Sequence, residues 1–314
     1  MSELTAAALG VDPSLYPWTG KRLDVGGAKL HYLDVGGGTA GSLTATLDGR
    51  LVTPRPTLLM VHGNPTWSFY WRDLVKALSP QWRCVVPDHI GMGLSDKPGD
   101  DTYEYTLERR VEDLDKLVDA AIPAGKIVLI VHDWGGMIGL GWAVRNVERI
   151  AKIVVLNTSA FVPSAEIKLP WQLKLARSLL GTILVQGGNT FAVGATRMCT
   201  VKRMPAAVRR GFVAPYRSFA ERISTLRFVQ DIPLSPADKA WDVVEATDKG
   251  LAQFTATPVL IHWGMKDFVF HGGFLAQFRK RWPHAEVTEY QAGHYVLEDE
   301  TEAVIASILR FLEP

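Results

Sequence analysis

Cysteine is nearly absent from this chain: Cys84 and Cys199 are the only two in 314 residues, and their separation matches no metal-ligand spacing. They are expected to be small apolar fillers in a reducing compartment. An excess of charge of one sign is missing too. The 34 Lys and Arg against 33 Asp and Glu leave a formal net charge of +1, which supplies no strongly basic face for nucleic acid. No apolar run reaches the ~18 residues a membrane-crossing helix needs. Met1 to Trp18 carry acid and proline where a secretory leader would need a basic stretch and an apolar core, so the expected address is the cytoplasm. There are no internal repeats and no low-complexity tracts. What is present is a soluble globular composition, 47% hydrophobic and 21% charged. The length suits a single α/β domain with an insertion.

The apolar residues are arranged in short β-branched runs. Lys21–Val25 and Lys29–Val35 alternate around Gly26-Gly27 as an antiparallel hairpin. Gly36 to Pro56, rich in Gly, Thr and Pro, forms a surface excursion with a short hairpin of its own. Buried strands are then expected at Thr57–Val61, Arg83–Val86, Lys126–Val131, Ile153–Leu156 and Pro258–Trp263, with a last strand at Glu286–Tyr290. Helices are expected at Leu107–Ala121, where Val111, Leu114, Leu117 and Val118 share a face, from Gly135 to about Asn146, and at Thr301–Leu312. This alternation predicts an eight-stranded, mostly parallel sheet with helices on both faces. From Ala160 to Asp248 the strand rhythm stops and helical segments take over. The expected organisation is a core of 1–159 and 249–314 with a helical cap, 160–248, inserted after the sixth strand.

One junction carries the chemistry. The strand ending at Val131 runs through His132-Asp133-Trp134-Gly135-Gly136 into a helix, the strand–turn–helix context that exposes a nucleophile in the α/β-hydrolase fold. Here an aspartate stands where such a fold carries serine. A carboxylate can attack carbon and leave an ester of itself, and water must then hydrolyse that ester. The base for that step is expected at His294, in Gly293-His294-Tyr295 just past the last strand. The acid that orients it belongs after a neighbouring strand. Asn157 fills one such position and cannot ionise; Asp267, in Gly264-Met265-Lys266-Asp267, fills the other. The order Asp133, Asp267, His294 is nucleophile, acid, histidine. Backbone N–H groups of Trp134 and Asn64 are placed for an oxyanion hole, and the Trp134 indole and Asn64 amide can donate to a departing anion.

His62-Gly63-Asn64-Pro65-Thr66, the run Pro87–Pro98 and His132-Asp133-Trp134-Gly135-Gly136 resemble the haloalkane dehalogenase family over essentially the whole chain apart from the N-terminal tail and the Gly36–Pro56 excursion. Asp267 as acid, with Asn64 and Trp134 as the halide-holding pair, is similar to its third subfamily. In the cap, Phe212–Tyr216 and Arg222–Leu234 resemble the β-lactone decarboxylases of bacterial long-chain olefin biosynthesis, which group with that subfamily. The resemblance implies two overlapping activities on one site. One is displacement of halide by Asp133, followed by ester hydrolysis by His294-activated water. The other is conversion of a β-lactone to a cis-alkene and carbon dioxide. It also implies a small apolar substrate, no cofactor, and a homo-oligomer.

Other readings fit less well. An epoxide hydrolase would carry an aromatic residue in place of Asn64 and two cap tyrosines, whereas Tyr216 is the only one between Ala160 and Asp248. A fluoroacetate dehalogenase would place arginine where Trp134 stands. A ligand-binding receptor on a dead hydrolase scaffold would have lost a member of the triad. His262, His271, His284 and Cys199 match no metal pattern and are read as structural. From Ala160 to Asp231, eleven basic residues (Lys168, Lys174, Arg177, Arg197, Lys202, Arg203, Arg209, Arg210, Arg217, Arg222 and Arg227) face three acids, Glu166, Glu221 and Asp231, an excess of eight. This is either a solvated helical surface with internal ion pairs or a face that meets anionic lipid or an acidic partner. The run Leu169–Leu180, apolar on more than one face, is expected to pack against both the site and a second subunit. If Asn64 donates to developing negative charge, Asn64→Ala should lower the steady-state rate by on the order of 10²–10³; an unchanged rate would remove it from the site.

Overall fold

The computed structural model describes residues 4–37, 45–47, 50–52, 55–162 and 178–313. Its strands are β1 Lys21–Asp24, β2 Lys29–Val35, β3 Ala45–Leu47, β4 Arg50–Val52, β5 Thr57–Val61, β6 Cys84–Pro87, β7 Ile127–Asp133, β8 Ile150–Thr158, β9 Val259–Gly264 and β10 Glu286–Tyr290. Eight form one sheet in the order β1-β2-β6-β5-β7-β8-β9-β10, while β3 and β4 make a separate hairpin. The β1/β2 and β2/β6 pairs are antiparallel and every other pair in the large sheet is parallel. This is the expected α/β-hydrolase arrangement. The small hairpin falls inside the Gly36–Pro56 excursion, as the sequence suggested; the remainder of that excursion lies partly outside the described residues.

Alternation along the parallel strands feeds two separate cores. Leu59, Val61, Leu129 and Val131 join one, and Leu58, Met60, Val128 and Ile130 the other, because successive side chains point to opposite faces. The helices are α1 Arg72–Leu78, α2 Leu107–Ala121, α3 Trp134–Ala143, α4 Leu179–Thr182, α5 Thr190–Met198, α6 Ala206–Val213, α7 Ile223–Gln230, α8 Trp241–Gly250, α9 Gly272–Arg281, α10 Val296–Asp299 and α11 Thr301–Leu312. Apolar side chains of α2, α3, α8 and α9 cover the first face, and those of α1 and α11 the second. The Thr106 hydroxyl caps α2 by accepting from the Arg109 N–H at 3.3 Å. Its expected face (Val111, Leu114, Leu117, Val118) is buried. Among the described residues no helix is long and apolar enough to cross a membrane.

Between β8 and β9 the described chain is helical, from α4 through a π-helical turn at Ile183–Gly187 to α8. Most of Leu169–Leu180, along with Glu166, Lys168, Lys174 and Arg177, lies outside the described residues. Outside the 160–248 block, α1, α9 and the single-turn α10 were not anticipated. Alternating charged and apolar residues hide α1 behind a buried turn, Ser68–Trp71, and α9 opens on two glycines, which weaken any helical pattern.

The turn at the end of β7 is tighter than its sequence suggests. Strand β7 continues through Asp133, which has φ 52° and ψ −129°, a sparsely populated conformation for a non-glycine residue. Missing β-carbons nearby make room for it. A Cβ on Gly63 would lie 2.0 Å from Asp133 Oδ1, and one on Gly135 would lie 2.0 Å from the Val61 carbonyl oxygen. The second obstacle is backbone and cannot rotate away. Gly135→Ala should therefore cost about 1–3 kcal/mol or more through overpacking. Urea denaturation measures this, and wild-type stability in the variant would refute the close approach.

Candidate active site

Strands β5 and β7 are parallel neighbours, so their carboxyl ends emerge together. That places Asn64, three residues past β5, against Asp133. The Asn64 backbone N–H donates to Asp133 Oδ1 at 2.6 Å, and the Thr158 hydroxyl of β8 donates to the Asp133 carbonyl. Asp133 Oδ2 lies 3.4 Å from His294 Nε2, and His294 Nδ1 lies 2.8 Å from Asp267 Oδ2. Asp133, Asp267 and His294 are all at most 6% exposed. The three residues picked from separate strand ends thus form one chain of contacts.

Asn157, read from sequence only as a position without an acid, supports that acid. Its Nδ2 donates to Asp267 Oδ2 at 2.9 Å and to the Gly264 carbonyl at 3.1 Å, and its Oδ1 accepts from the Gly264 N–H at 2.7 Å. The Val269 N–H donates to the other carboxylate oxygen at 2.7 Å. Burial opposes ionisation of Asp267, but His294 and the backbone N–H groups of Val269 and Phe270 hold its carboxyl below the usual range. The available signal was an amide on β8 beside a carboxylate just past β9, the strand it pairs with.

Burial also opposes charge on His294, yet the carboxylates of Asp267 and Asp133 outweigh it and push the imidazole up to about 10. The neighbouring His132 behaves in the opposite way. Burial and the nearby His294 charge bring it down to about 3, so it is neutral, with Nε2 2.9 Å from the His294 carbonyl oxygen. Asp299 adds a further anchor that sequence reasoning missed, since Glu298-Asp299-Glu300 reads as a solvated acidic run. It is 3% exposed, and its carboxylate accepts from the N–H groups of Gly293 (2.8 Å), Val201 (2.9 Å) and Lys202 (2.8 Å). The histidine loop is thereby joined to the loop after α5, where Tyr295 N–H also donates to the Cys199 carbonyl at 2.7 Å.

Asp133 opens onto a cavity of about 350 Å³ walled by apolar side chains such as Met137, Phe161, Val185, Phe191 and Phe270. Asn64, Trp134, Ser159, Thr190, His294 and Tyr295 are its polar exceptions beside Asp133, and Cys199 lines it as a buried free thiol. Trp134 is the first residue of α3, so its backbone N–H has no partner within the helix. The Asn64 amide is less free than expected: Nδ2 donates to the Thr225 carbonyl of α7 at 3.0 Å, leaving one amide hydrogen for a ligand, and Oδ1 is buried without a partner. Tyr216 is buried, and its hydroxyl is 3.3 Å from the Thr66 carbonyl oxygen, a hydrogen bond within the protein. His262, His271 and His284 are scattered, contacting Tyr290, the Gly273 N–H and the Thr257 carbonyl respectively. Cation pairing in the helical region is mixed. Lys202, Arg217 and Arg227 pair with Glu300, Glu221 and Asp100. Arg222 donates to backbone carbonyls.

A family model for the alpha/beta hydrolase fold matches residues 56–301. A cis-3-alkyl-4-alkyloxetan-2-one decarboxylase from Xanthomonas campestris pv. campestris is 47% identical over 306 residues, covering 95% of this chain and 97% of that protein. Haloalkane dehalogenase 2 of Mycobacterium tuberculosis is 27% identical over 300 residues, covering 95% and 96%. Among solved structures, a haloalkane dehalogenase from Bradyrhizobium elkani superposes with a TM-score of 0.80 at 23% identity, covering 94% of this chain and 97% of that one.

Because His294 is raised in the folded state, its protonation stabilises the fold fully below about pH 6.5, its ordinary value, and that contribution is lost as pH climbs through about 10. Asp133→Asn removes one of the two carboxylates. Its melting temperature should therefore fall less steeply over that window than the wild type's, and parallel profiles would show that Asp133 does not hold the imidazolium.

Proposed function

Since this chain belongs to the α/β-hydrolase family, we propose that it is a β-lactone decarboxylase using Asp133 as nucleophile. The observation that carries this reading is a buried carboxylate at the floor of an apolar cavity, beside a histidine–aspartate pair. The full-length likeness to an oxetanone decarboxylase, at 47% against 27% for a dehalogenase, favours the lactone as substrate. We read 160–248 as a helical cap on a core of 1–159 and 249–314, with Asp267, His294, Asn64 and Trp134 serving Asp133. No metal or cofactor is required, because nucleophile, base and anion donors are all supplied by the chain. The same reading includes a cytoplasmic homo-oligomer. Arg197, Arg203, Arg209 and Arg210, which form no ion pair among the described residues, would be its contact for anionic lipid or an acidic partner.

In the proposed reaction Asp133 attacks the ring carbon that bears oxygen. A carbon–oxygen bond to Asp133 forms, the ring carbon–oxygen bond breaks, and the ring oxygen leaves as part of a carboxylate. Trp134 and Asn64 are the donors for that anion. Inversion at carbon sets the aspartyl oxygen anti to the new carboxylate. The bond to the carboxylate then breaks, its electron pair becomes the second bond of the alkene, carbon dioxide departs and Asp133 leaves as a carboxylate. The two alkyl chains stay on the same side, giving a cis-alkene, and neither water nor a proton is consumed. The His294 imidazolium, 3.4 Å from Asp133, eases the return of negative charge to Asp133.

The Trp134–Asn64 pair in so apolar a cavity also favours a second reading, haloalkane dehalogenation. Attack by Asp133 there expels halide and leaves a neutral alkyl ester. With Asp133 uncharged, one of the two carboxylates raising His294 is gone and its affinity for a proton falls. The imidazole can then take a proton from the water that hydrolyses the ester.

Two substrates separate the readings: a long-chain cis-3,4-dialkyl-β-lactone, with alkene and carbon dioxide followed, and 1-bromobutane, with bromide followed. Fast alkene formation and slow bromide release are expected. Brisk bromide release without alkene would make the chain a dehalogenase. Asp133→Ala should abolish both activities. His294→Ala should accumulate a butyl ester on Asp133, visible by intact mass, while still forming alkene at a reduced rate. Continued bromide turnover by His294→Ala would refute the base.

A further inference from the structure

Arg110 of α2 is 1% exposed, and its guanidinium is held unlike that of a structural arginine. Elsewhere in the molecule buried Arg72 grips Glu298 with two parallel bonds of 2.6 and 2.8 Å. Arg110 makes one long contact to Asp231, 3.3 Å from Nη1 to Oδ2, and Nη1 also donates to the Tyr105 carbonyl at 3.2 Å. Its Nε and Nη2 are buried with no partner. Burying a cation with two unsatisfied donors is unfavourable, so a compensating interaction is needed. The guanidinium carbon lies 3.8 Å from the ring centre of Phe228 and 5.8 Å from that of Trp134, and the two rings meet edge to face at 5.1 Å. Arg110 does not line the cavity, whereas Trp134, Val229, Ile232 and Pro233 do. Phe228 and Asp231 belong to the 222–234 run, part of the sequence that resembles the lactone decarboxylases.

We propose that Arg110 is a positioning residue for the anion site: it braces Phe228 and Trp134 from outside the cavity and biases the indole side of the pocket toward a negatively charged leaving group. The chemistry it favours is an anion released in the cavity, a carboxylate from a lactone or a halide. The planar guanidinium stacks on Phe228. Phe228 in turn supports the indole whose N–H is proposed to meet the anion. The cation is only partly offset by Asp231, because their contact is single and long. A net positive field therefore remains beside Trp134 in a region of low dielectric, where it is weakly screened. This inference rests on the anion-holding role proposed above for Trp134.

The test is saturable quenching of tryptophan fluorescence by sodium bromide, with Trp134→Phe identifying which of the ten tryptophans reports, alongside kcat and KM for the β-lactone. Arg110→Met should weaken bromide binding on the order of tenfold and lower kcat more than it raises KM, with a lower melting temperature because the buried Asp231 carboxylate loses its cation. Arg110→Lys should recover part of the affinity. Asp231→Asn should act in the opposite direction and tighten bromide binding, because it leaves the cation less compensated; this keeps the question decidable if Arg110→Met does not fold. Wild-type bromide affinity in Arg110→Met, or weakening in Asp231→Asn, would mark a structural brace and overturn the proposal. Wild-type protein without a saturable signal that Trp134→Phe removes would overturn the anion role of Trp134, and that of Arg110 with it.

Discussion

Asp133 stands at the end of β7 with φ 52°, its carboxylate facing a cavity that offers few donors. Two costs meet at this residue, a disfavoured backbone conformation and a charge removed from water. The surrounding structure can be understood as the offset to both. Gly63 and Gly135 lack the atoms that would collide with the turn, Thr158 holds its carbonyl, and Asn64 N–H and His294 hold its carboxylate. His294 is held in turn by Asp267, and Asp267 by Asn157 and Val269. Each layer exists to satisfy the charge of the one before it.

The same coupling makes the site respond to its own chemistry. His294 is strongly basic because two carboxylates flank it. In the proposed reaction, esterification of Asp133 silences one of them, so the step that would create the intermediate would also prepare the base for its hydrolysis. His132, neutral and 2.9 Å from the His294 carbonyl oxygen, adds a hydrogen-bonding ring to this cluster without adding charge.

The inner strands were legible because burial on both faces of a parallel sheet demands continuous apolar β-branched runs, and β5 matches its expected bounds; antiparallel β2 and the partly exposed edge strand β10 also match theirs. Asp133, Asp267 and His294 were legible because each stands at or just past the end of a strand that could be read. What sequence could not supply was side-chain direction. Asn157 and Asp299 look inert in a linear text, and their roles arise only when a neighbouring strand or loop brings a carboxylate or an amide within 3 Å. The Asn64 amide shows the converse: it was expected to reach into the pocket, but the Thr225 carbonyl that takes one of its hydrogens comes from a helix 161 residues away. Arg110 was invisible for the same reason, since its significance lies in Phe228 and Asp231, far along the chain.

Asp299 joins two things that are often separate in an enzyme. One carboxylate holds the loop carrying His294 and the loop after α5, whose neighbours Met198 and Cys199 form part of the cavity wall. The cavity wall and the His294 ring are thus fastened to the same post. A change that moves this wall therefore also shifts the loop carrying the imidazole, so the shape of the cavity and the placing of its histidine vary together.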